Sequence, residues 1–508
     1  MSEQRCFDLP RIFLLLGLGA WALMAPARAA ERGGDVGLAP VAEQARTWTD
    51  ATGKHKTQAS LAGVDGEKVR LKKSDGTIVV IAIERLSADD QAWLNSRSAP
   101  ATASAGKRRT ETAPGDWPQF RGPDRTGVAS GTALLKEWPE AGPPLAWKTT
   151  NLGEGYSSPS VSGGRVFGMS YRGEDEVVWA LQESDGKELW SVRIAGANRR
   201  VGLPEGARAT PTVDGARLYT LGVSGDLVCM EAGTGKLVWQ KNLVADFGGK
   251  VPPWGYSESP LIDGTMVAVT PGQDKATLVA LDKNTGEPLW QCAVPQAKEA
   301  QYSSIMLATV GGQRQFLQIL LGRAVGVSAR DGKLLWQWEK PISPRYNCAS
   351  VIVRGDAFFA PGFHTAGGAA RIVRDGDEWR VEELFVDPKH KCSSGGMVLL
   401  DGHLYGDHDG NLCCSEFTSG KIVWEDRRGY AVRTRRGAVA CADGRLYYRR
   451  EDGTMHLVEA APHGFAEHGR FAQPDRSNKT AFPPPVIANG RLYLRDQDLL
   501  LCYDVRQK

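Results

Sequence analysis

The side chains in this sequence that could do chemistry fall into a few clusters. His390, Cys392, His403, Asp407, His408 and Asp409 carry the donor types that hold a transition metal. However, His403 and His408 lie at opposite ends of one short strand and point in different directions. No Cys-x-x-Cys or His-Glu-x-x-His pattern accompanies them, so no metal site is expected. Asp407-His408-Asp409-Gly410 reads instead as a polar hairpin, as does Gly362-Phe363-His364-Thr365. A second cluster is recognition chemistry. The long segments 193–209 and 242–258, with shorter ones after them, supply Arg199, Arg200, Trp254, Tyr256, Tyr302, Arg345, Tyr346, His390, Lys391 and Arg435. Long loops on a rigid scaffold are where sites usually lie. Aromatic rings mixed with arginine suit a flat anionic ligand, a sugar or a peptide. The alternative is that Trp254 and Tyr256 pack beneath their own loop. No serine nucleophile elbow, P-loop or paired-carboxylate signature is present, and no Cys-x-x-Cys-His would attach a haem.

The elements that must position these residues follow a repeat. The pattern small–x–acid–x–x–Thr–Gly–x–x–x–Trp occurs at Ala280, Asp282, Thr285, Gly286, Trp290 and at Cys229, Glu231, Thr234, Gly235, Trp239. Looser copies are Ala180, Gly186, Trp190; Gly326, Gly332, Trp336; and Cys414, Glu416, Gly420, Trp424. The tryptophan spacings are 49, 51, 46 and 88 residues, so one unit lacks its tryptophan. A period of about 40 to 50 residues indicates a repeat array. A glycine between two short apolar strands recurs eight times, at Gly164, Gly215, Gly264, Gly312, Gly355, Gly402, Gly444 and Gly490. Four of these are Asp-Gly and one is Asn-Gly, strong hairpin signals. Each unit therefore reads as four antiparallel strands, a propeller blade. The last unit ends at Val505 without its tryptophan strand, and an orphan strand, Leu145-Ala146-Trp147, precedes the first. Pairing the two would close the ring and remove its free edge.

Residues 115–506 thus resemble the PQQ-like β-propeller family, which includes quinoprotein alcohol dehydrogenases and BamB-like assembly factors. Asp116-Trp117-Pro118-Gln119-Phe120-Arg121-Gly122-Pro123 is similar to the segment that leads into such propellers in secreted bacterial proteins. The resemblance implies that Trp147, Trp190, Trp239, Trp290, Trp336 and Trp424 dock each blade on its neighbour, a structural role. For a quinoprotein it would further imply pyrroloquinoline quinone (PQQ) and calcium, held by a carboxylate and an amide above a tryptophan floor. The repeat assigns no residues to those roles, so no cofactor is expected outside that alternative. The family also has a vicinal disulfide, matched here by Cys413-Cys414, but adjacent strand residues point to opposite faces, which argues against a ring.

The first 29 residues read as an export signal. Arg5 and Arg11 are followed by an apolar stretch from Ile12 to Met24 and an Ala27-Arg28-Ala29 cleavage site. No other stretch is apolar enough for a membrane span. The mature chain is expected in the periplasm or outside the cell, as a monomer. A net charge of +3 does not imply nucleic acid. Arginines concentrate at 427–450, which reads as a solvated blade face or a patch for an anionic partner. Of nine cysteines, Cys229, Cys414 and Cys502 occupy the small slot of the repeat and read as buried small hydrophobes rather than disulfide partners.

Residues 46–95 form a separate unit. Val69 and Leu71 alternate with Arg70 and Lys72, Asp75-Gly76 marks a turn, 77–83 returns, and Ser87 with Asp90 starts a short helix through Trp93 and Leu94. The Arg46-x-Trp48 opening, Val69-x-Leu71 centre with Asp75-Gly76, and Leu86-Ser87-x-x-Asp90 close resemble the Sla homology domain, a small Src-homology-3-like barrel. That resemblance implies generic protein binding. Residues 96–114, rich in Ala, Ser, Thr and Pro, read as a flexible linker. The expectation is all-β: an eight-bladed β-propeller preceded by a small Src-homology-3-like barrel. Its expected function is a protein-binding or ligand-binding scaffold or adaptor at the cell envelope, with a protein partner on the small domain or propeller face. The alternatives are a PQQ-dependent alcohol or sugar dehydrogenase and a polysaccharide-binding protein.

Overall fold

The computed structural model describes residues 46–507 except 66–67, 88, 92–112, 131–132, 203–205, 297–298, 341, 364, 393–394, 409 and 429–435. The expected export signal, most of the expected linker, Trp93, Leu94, His364, Asp409, Arg433 and Arg435 lie outside the described residues. The chain divides into two compact units, Met1–Ser104 and Ala105–Lys508.

The first unit is an antiparallel meander of β1 (Arg46–Thr49), β2 (Lys56–Asp65), β3 (Lys68–Lys73) and β4 (Ile78–Ala82), paired in chain order. Alternation puts Val69 and Leu71 inward against Trp48, Ala59 and Leu86. The indole of Trp48 donates to Ala59 O at 2.9 Å, which satisfies its one polar group inside the core. Asp90 ties the ends together. It accepts from Arg46 at 2.7 Å and from the Thr49 amide at 2.7 Å, and its own amide is capped by Ser87 Oγ.

In the second unit the described residues form eight four-stranded antiparallel sheets, the blades of a β-propeller, with the strands in chain order from the inside outward. They span 160–196, 212–242, 261–292, 306–338, 352–387, 397–425, 437–472 and 486–504, and are numbered here 1 to 8. Sheet 8 takes its fourth strand from Leu145–Thr149, with Cys502 opposite Trp147. Both chain ends of the unit therefore share one sheet, and Leu499–Asp504 is not left as an edge strand. The inner hairpins use two turn forms. Asp401-Gly402, Asp443-Gly444 and Asn489-Gly490 have both residues at positive φ, the form that matches strand twist. At Asp214-Gly215 and Asp263-Gly264 only the glycine does.

The repeat motif has a direct packing meaning. Its small residue faces its tryptophan across the outer strand pair: Cys229 with Trp239, Ala280 with Trp290, Gly326 with Trp336, Cys414 with Trp424. A bulge follows each pair, turning the ring toward the next sheet. There the indole N–H donates to a carbonyl: Trp147 to Glu183, Trp190 to Ala232, Trp239 to Lys283, Trp290 to Ala329 and Trp424 to Ala461. The motif glycine receives the ring face. A Cβ on Gly332 would sit 2.6 Å from Trp290. Trp336 differs. It stacks on Phe358 of sheet 5, centroids 5.1 Å apart, and donates to Gln315 of its own sheet. In sheet 5 the missing tryptophan is replaced by Phe385, which faces Ala369 and covers Gly420 of sheet 6. Among the described residues the eight cysteines are free thiols, Cys413 and Cys414 included.

Candidate functional site

The innermost strands are preceded by a row of hydroxyl residues, Ser158, Thr210, Ser259, Ser304 and Ser350. They link sheet to sheet. The Thr210 amide donates to Ser259 Oγ at 2.9 Å, the Ser259 amide to Ser304 Oγ at 3.0 Å, and the Ser304 amide to Ser350 Oγ at 2.8 Å. Ser158 Oγ donates to Pro484 O, joining sheet 1 to sheet 8. This row satisfies backbone groups that have no strand partner at the propeller axis.

Two residues before each member of the row stand Tyr156, Arg208, Ser257, Tyr302 and Cys348, and all five line one central cavity of about 410 Å³. Arg436 and Phe482 occupy the equivalent places in sheets 7 and 8 and line it too. Trp254, Tyr346 and Phe363 add aromatic walls. Trp254 packs edge-on against Tyr302 at 5.7 Å and Tyr346 at 5.3 Å, and Tyr346 against Phe363 at 4.8 Å. Burial pushes the Tyr302 phenol and the Cys348 thiol up to about 12, so both are protonated at neutral pH.

The segment 115–130 runs as a strap across one end of this axis. Trp117 bridges Val161 of sheet 1, and Pro118 O accepts from Val213 of sheet 2. Arg125 donates to Ser259 O at 2.8 Å and to Pro260 O at 3.0 Å by sheet 3. Arg121 donates to Met397 O of sheet 6, and Val128 bridges Cys441 of sheet 7. Arg121 and Arg125 are held at φ 57° and 58°, a region uncommon for non-glycine residues and retained where the surroundings over-determine it. Phe120 and Arg121 face the cavity from the strap. Burial lowers the Arg121 guanidinium to about 10, which leaves it charged at neutral pH.

The expected site residues divide. Trp254, Tyr302 and Tyr346 line the cavity. Tyr256 does not: it is buried under its own loop, its hydroxyl donating to Pro271 O at 2.7 Å. Arg199 is drawn sideways to Glu154 at 3.1 Å and lies over Tyr171. Arg200 and Arg345 are exposed, away from the cavity lining. His390 is buried between Phe359 and Phe385, its Nε2 2.6 Å from Gly420 O, and burial lowers its pKa. His408 comes within 5.1 Å of it, ring to ring, while His403 sits by Asp401 O at the hairpin. Among the described residues no group of three or more His, Cys, Asp or Glu is placed to hold a metal. Arg208, Arg436, Phe482, Tyr156 and Cys348 went unnoticed in the sequence. The signal that marks them is their fixed distance before the inner strand, most visible where Ser-Pro or Thr-Pro recurs at 158–159, 210–211 and 259–260.

The sequence profile described as outer membrane protein assembly factor BamB matches residues 110–203 and 174–426, more than half of the chain. The chain belongs to this PQQ_2 family. A BamB-type assembly factor from Nitrosomonas eutropha is 26% identical over 288 residues, covering 52% of this chain and 62% of that protein. The chain thus spans under two thirds of that relative's length. The first unit matches SLA1 homology domain 1 over residues 38–100. There a 55-residue stretch, 11% of this chain, is 40% identical to 5% of the actin cytoskeleton-regulatory complex protein SLA1 of Mycosarcoma maydis. The computationally designed Ika8 protein superposes with a TM-score of 0.50 at 10% identity, covering 71% of this chain and 99% of that one. That likeness concerns the fold alone. The cavity lining contains no Asp, Glu, Asn or Gln among the described residues. Glu258, next to two lining serines, spends its carboxyl on Thr270, Ile305 and Gln318 between sheets 3 and 4. The donor set therefore does not fit a calcium-held quinone.

Proposed function

We propose that this chain is an exported scaffold of the cell envelope that binds a protein partner or ligand through the cavity at its propeller axis. The observation that carries this reading is the cavity itself. Seven aromatic side chains and three arginines converge on about 410 Å³ that the strap crosses at one end. Aromatic anchors beside arginine are the residue types that dominate recognition sites. Membership of a family described by an assembly factor supports a protein-facing role at the envelope. Every strong repeat motif is accounted for by blade packing, which supports a non-catalytic role.

The test has two arms. The mature protein is titrated with 2-naphthoate and its neutral analogue 2-naphthylmethanol, following the fluorescence of wild type and Trp254→Phe. Saturable quenching that Trp254→Phe and Tyr346→Ala both weaken is expected. No saturable signal with either probe would remove the cavity as a binding site. In parallel, the protein is incubated with PQQ and calcium and an artificial electron acceptor, across alcohols and sugars. Turnover abolished by chelation would replace the scaffold reading with a dehydrogenase.

A further inference from the structure

One face of the small unit sets cations beside exposed aliphatic side chains. On β3 the outward positions are Lys68, Arg70 and Lys72, all exposed, while Val69 and Leu71 point into the core. On the neighbouring β4 the outward positions are Ile78 and Val80, 54% and 56% exposed. The register sets Lys72 opposite Ile78, Arg70 opposite Val80 and Lys68 opposite Ala82. On the other side, Lys72 faces Ser60, and Lys68 faces Asp65 at the strand end. A row of three cations thus runs beside a row of aliphatic side chains on one face of the sheet. β4 is also the last strand of its sheet, pairs among the described residues only with β3, and reads Ile-Val-Val-Ile-Ala. Edge strands are normally guarded by charge, proline or a bulge. This one carries no charge or proline, and its pairing with β3 is regular.

We propose that this face docks on an anionic phospholipid bilayer. Cations within reach of an anionic leaflet and aliphatic side chains that enter the headgroup boundary are the two terms of interfacial binding. An extended acidic peptide would satisfy the charge as well, but peptide recognition by strand addition takes its specificity from pockets for alternate side chains. The depression in this unit is lined by Trp48, Asp50, His55, Ile81, Arg85 and their neighbours, and includes none of Lys68, Arg70, Lys72, Ile78 or Val80. A face that takes no part in that depression suits a surface. None of these residues belongs to the propeller, so the failure of this proposal and that of the cavity reading are separate events.

The experiment is vesicle co-flotation of the full mature chain. It uses phosphatidylglycerol–phosphatidylethanolamine vesicles and, as the neutral control, phosphatidylcholine vesicles. Binding to the anionic vesicles only, weakened at high salt, is expected. Arg70→Gln with Lys72→Gln should reduce it about 30-fold, equivalent to about 1 kcal/mol for each cation. Ile78→Ser with Val80→Ser should reduce it while leaving the melting temperature unchanged, since both side chains are exposed. No anionic-vesicle binding by the wild type at low salt overturns the proposal, as does binding that both double variants retain. Capture of polyglutamate in place of vesicles, with the same sensitivity to Arg70→Gln and Lys72→Gln, assigns the face to a protein partner and overturns it equally.

Discussion

Arg495 of sheet 8 donates a 2.8 Å hydrogen bond to the hydroxyl of Ser170 in sheet 1, with its guanidinium 5.2 Å from the Trp179 ring. It also donates to Gly153 O at 2.8 Å, and its own carbonyl accepts from Arg449 of sheet 7 at 2.7 Å. The two buried arginines therefore connect sheets 7, 8 and 1, where the ring closes. Burial lowers the Arg495 guanidinium to about 9 while Asp498 and Asp496 oppose the shift, which leaves it charged at neutral pH. Arg495→Ala leaves those acceptors buried without a donor and should destabilise the propeller by about 1 to 3 kcal/mol for each acceptor left unpaired. Denaturant melts check this, and a loss below about 1 kcal/mol would show that closure does not depend on it.

Closure should also depend on the strand shared between the ends of the unit. Deleting residues 498–508 removes the partner of Leu145–Thr149 and exposes Arg491–Asp496 as a new edge. The truncated chain is expected to aggregate or to melt without cooperativity. A monomer with an unchanged melt would show that sheet 8 is dispensable.

Trp290 is 9% exposed and its ring covers Gly332 of the next sheet. Trp290→Ala should cost roughly 3 to 5 kcal/mol, as for other large core truncations. Gly332→Ala should also destabilise, because Gly332 has φ 74° and its Cβ would meet the ring. If the glycine variant is neutral, the ring face is not what fixes the sheet-to-sheet distance.

The architecture was legible because a repeat reports its own geometry. One pairing, such as Ala280 with Trp290, recurs often enough to define strand, bulge and docking contact together. The closing strand at Trp147 was legible for the same reason, as the one motif fragment without a unit. The site was less legible because residues were chosen by type rather than by register. Tyr256 and His390 are the right chemistry for a funnel, yet the first packs under its loop and the second between two phenylalanines. Arg208 and Phe482 carry no local signature and become visible only by their place before the inner strand. Phe385 was hidden because it fills the tryptophan slot with a different ring.

Two buried carboxyls make the stability of the propeller pH-dependent. Glu176 accepts from the Val223 amide across sheets 1 and 2, and burial raises its pKa to about 8. Glu258 is raised to about 7, again mainly by burial. Both are thus held protonated in the fold at pH values where the unfolded chain, at about 4.5, is ionised. Their contribution is present at acid pH and is lost as pH rises from about 4.5 through 7 and 8. His390 acts oppositely, since its lowered pKa costs stability as pH falls below its unfolded value. The melting temperature should therefore fall between pH 6 and 8.5. Glu176→Gln with Glu258→Gln should flatten that slope, and a double variant with the parent slope would show that neither carboxyl is neutral in the fold.

The strap should govern one end of the cavity. Arg125 is 3% exposed and fastens the strap to the carbonyls of Ser259 and Pro260, while Gly122, at φ 82°, lies against Trp117. Arg125→Ala removes two charge-assisted bonds of about 1.5 to 3 kcal/mol each in the upper range for such contacts. It also frees a segment already held at unfavourable φ at Arg121 and Arg125. The expected result is a lowered melting temperature together with easier quenching of Trp117 fluorescence by acrylamide, because the segment lifts from sheet 1. Arg125→Lys keeps the charge but loses the fork that reaches two carbonyls, so it should rescue only part of the loss. Full rescue by lysine, or unchanged quenching in the alanine variant, would show that the strap is fastened by its backbone bridges to Val161 and Cys441 instead.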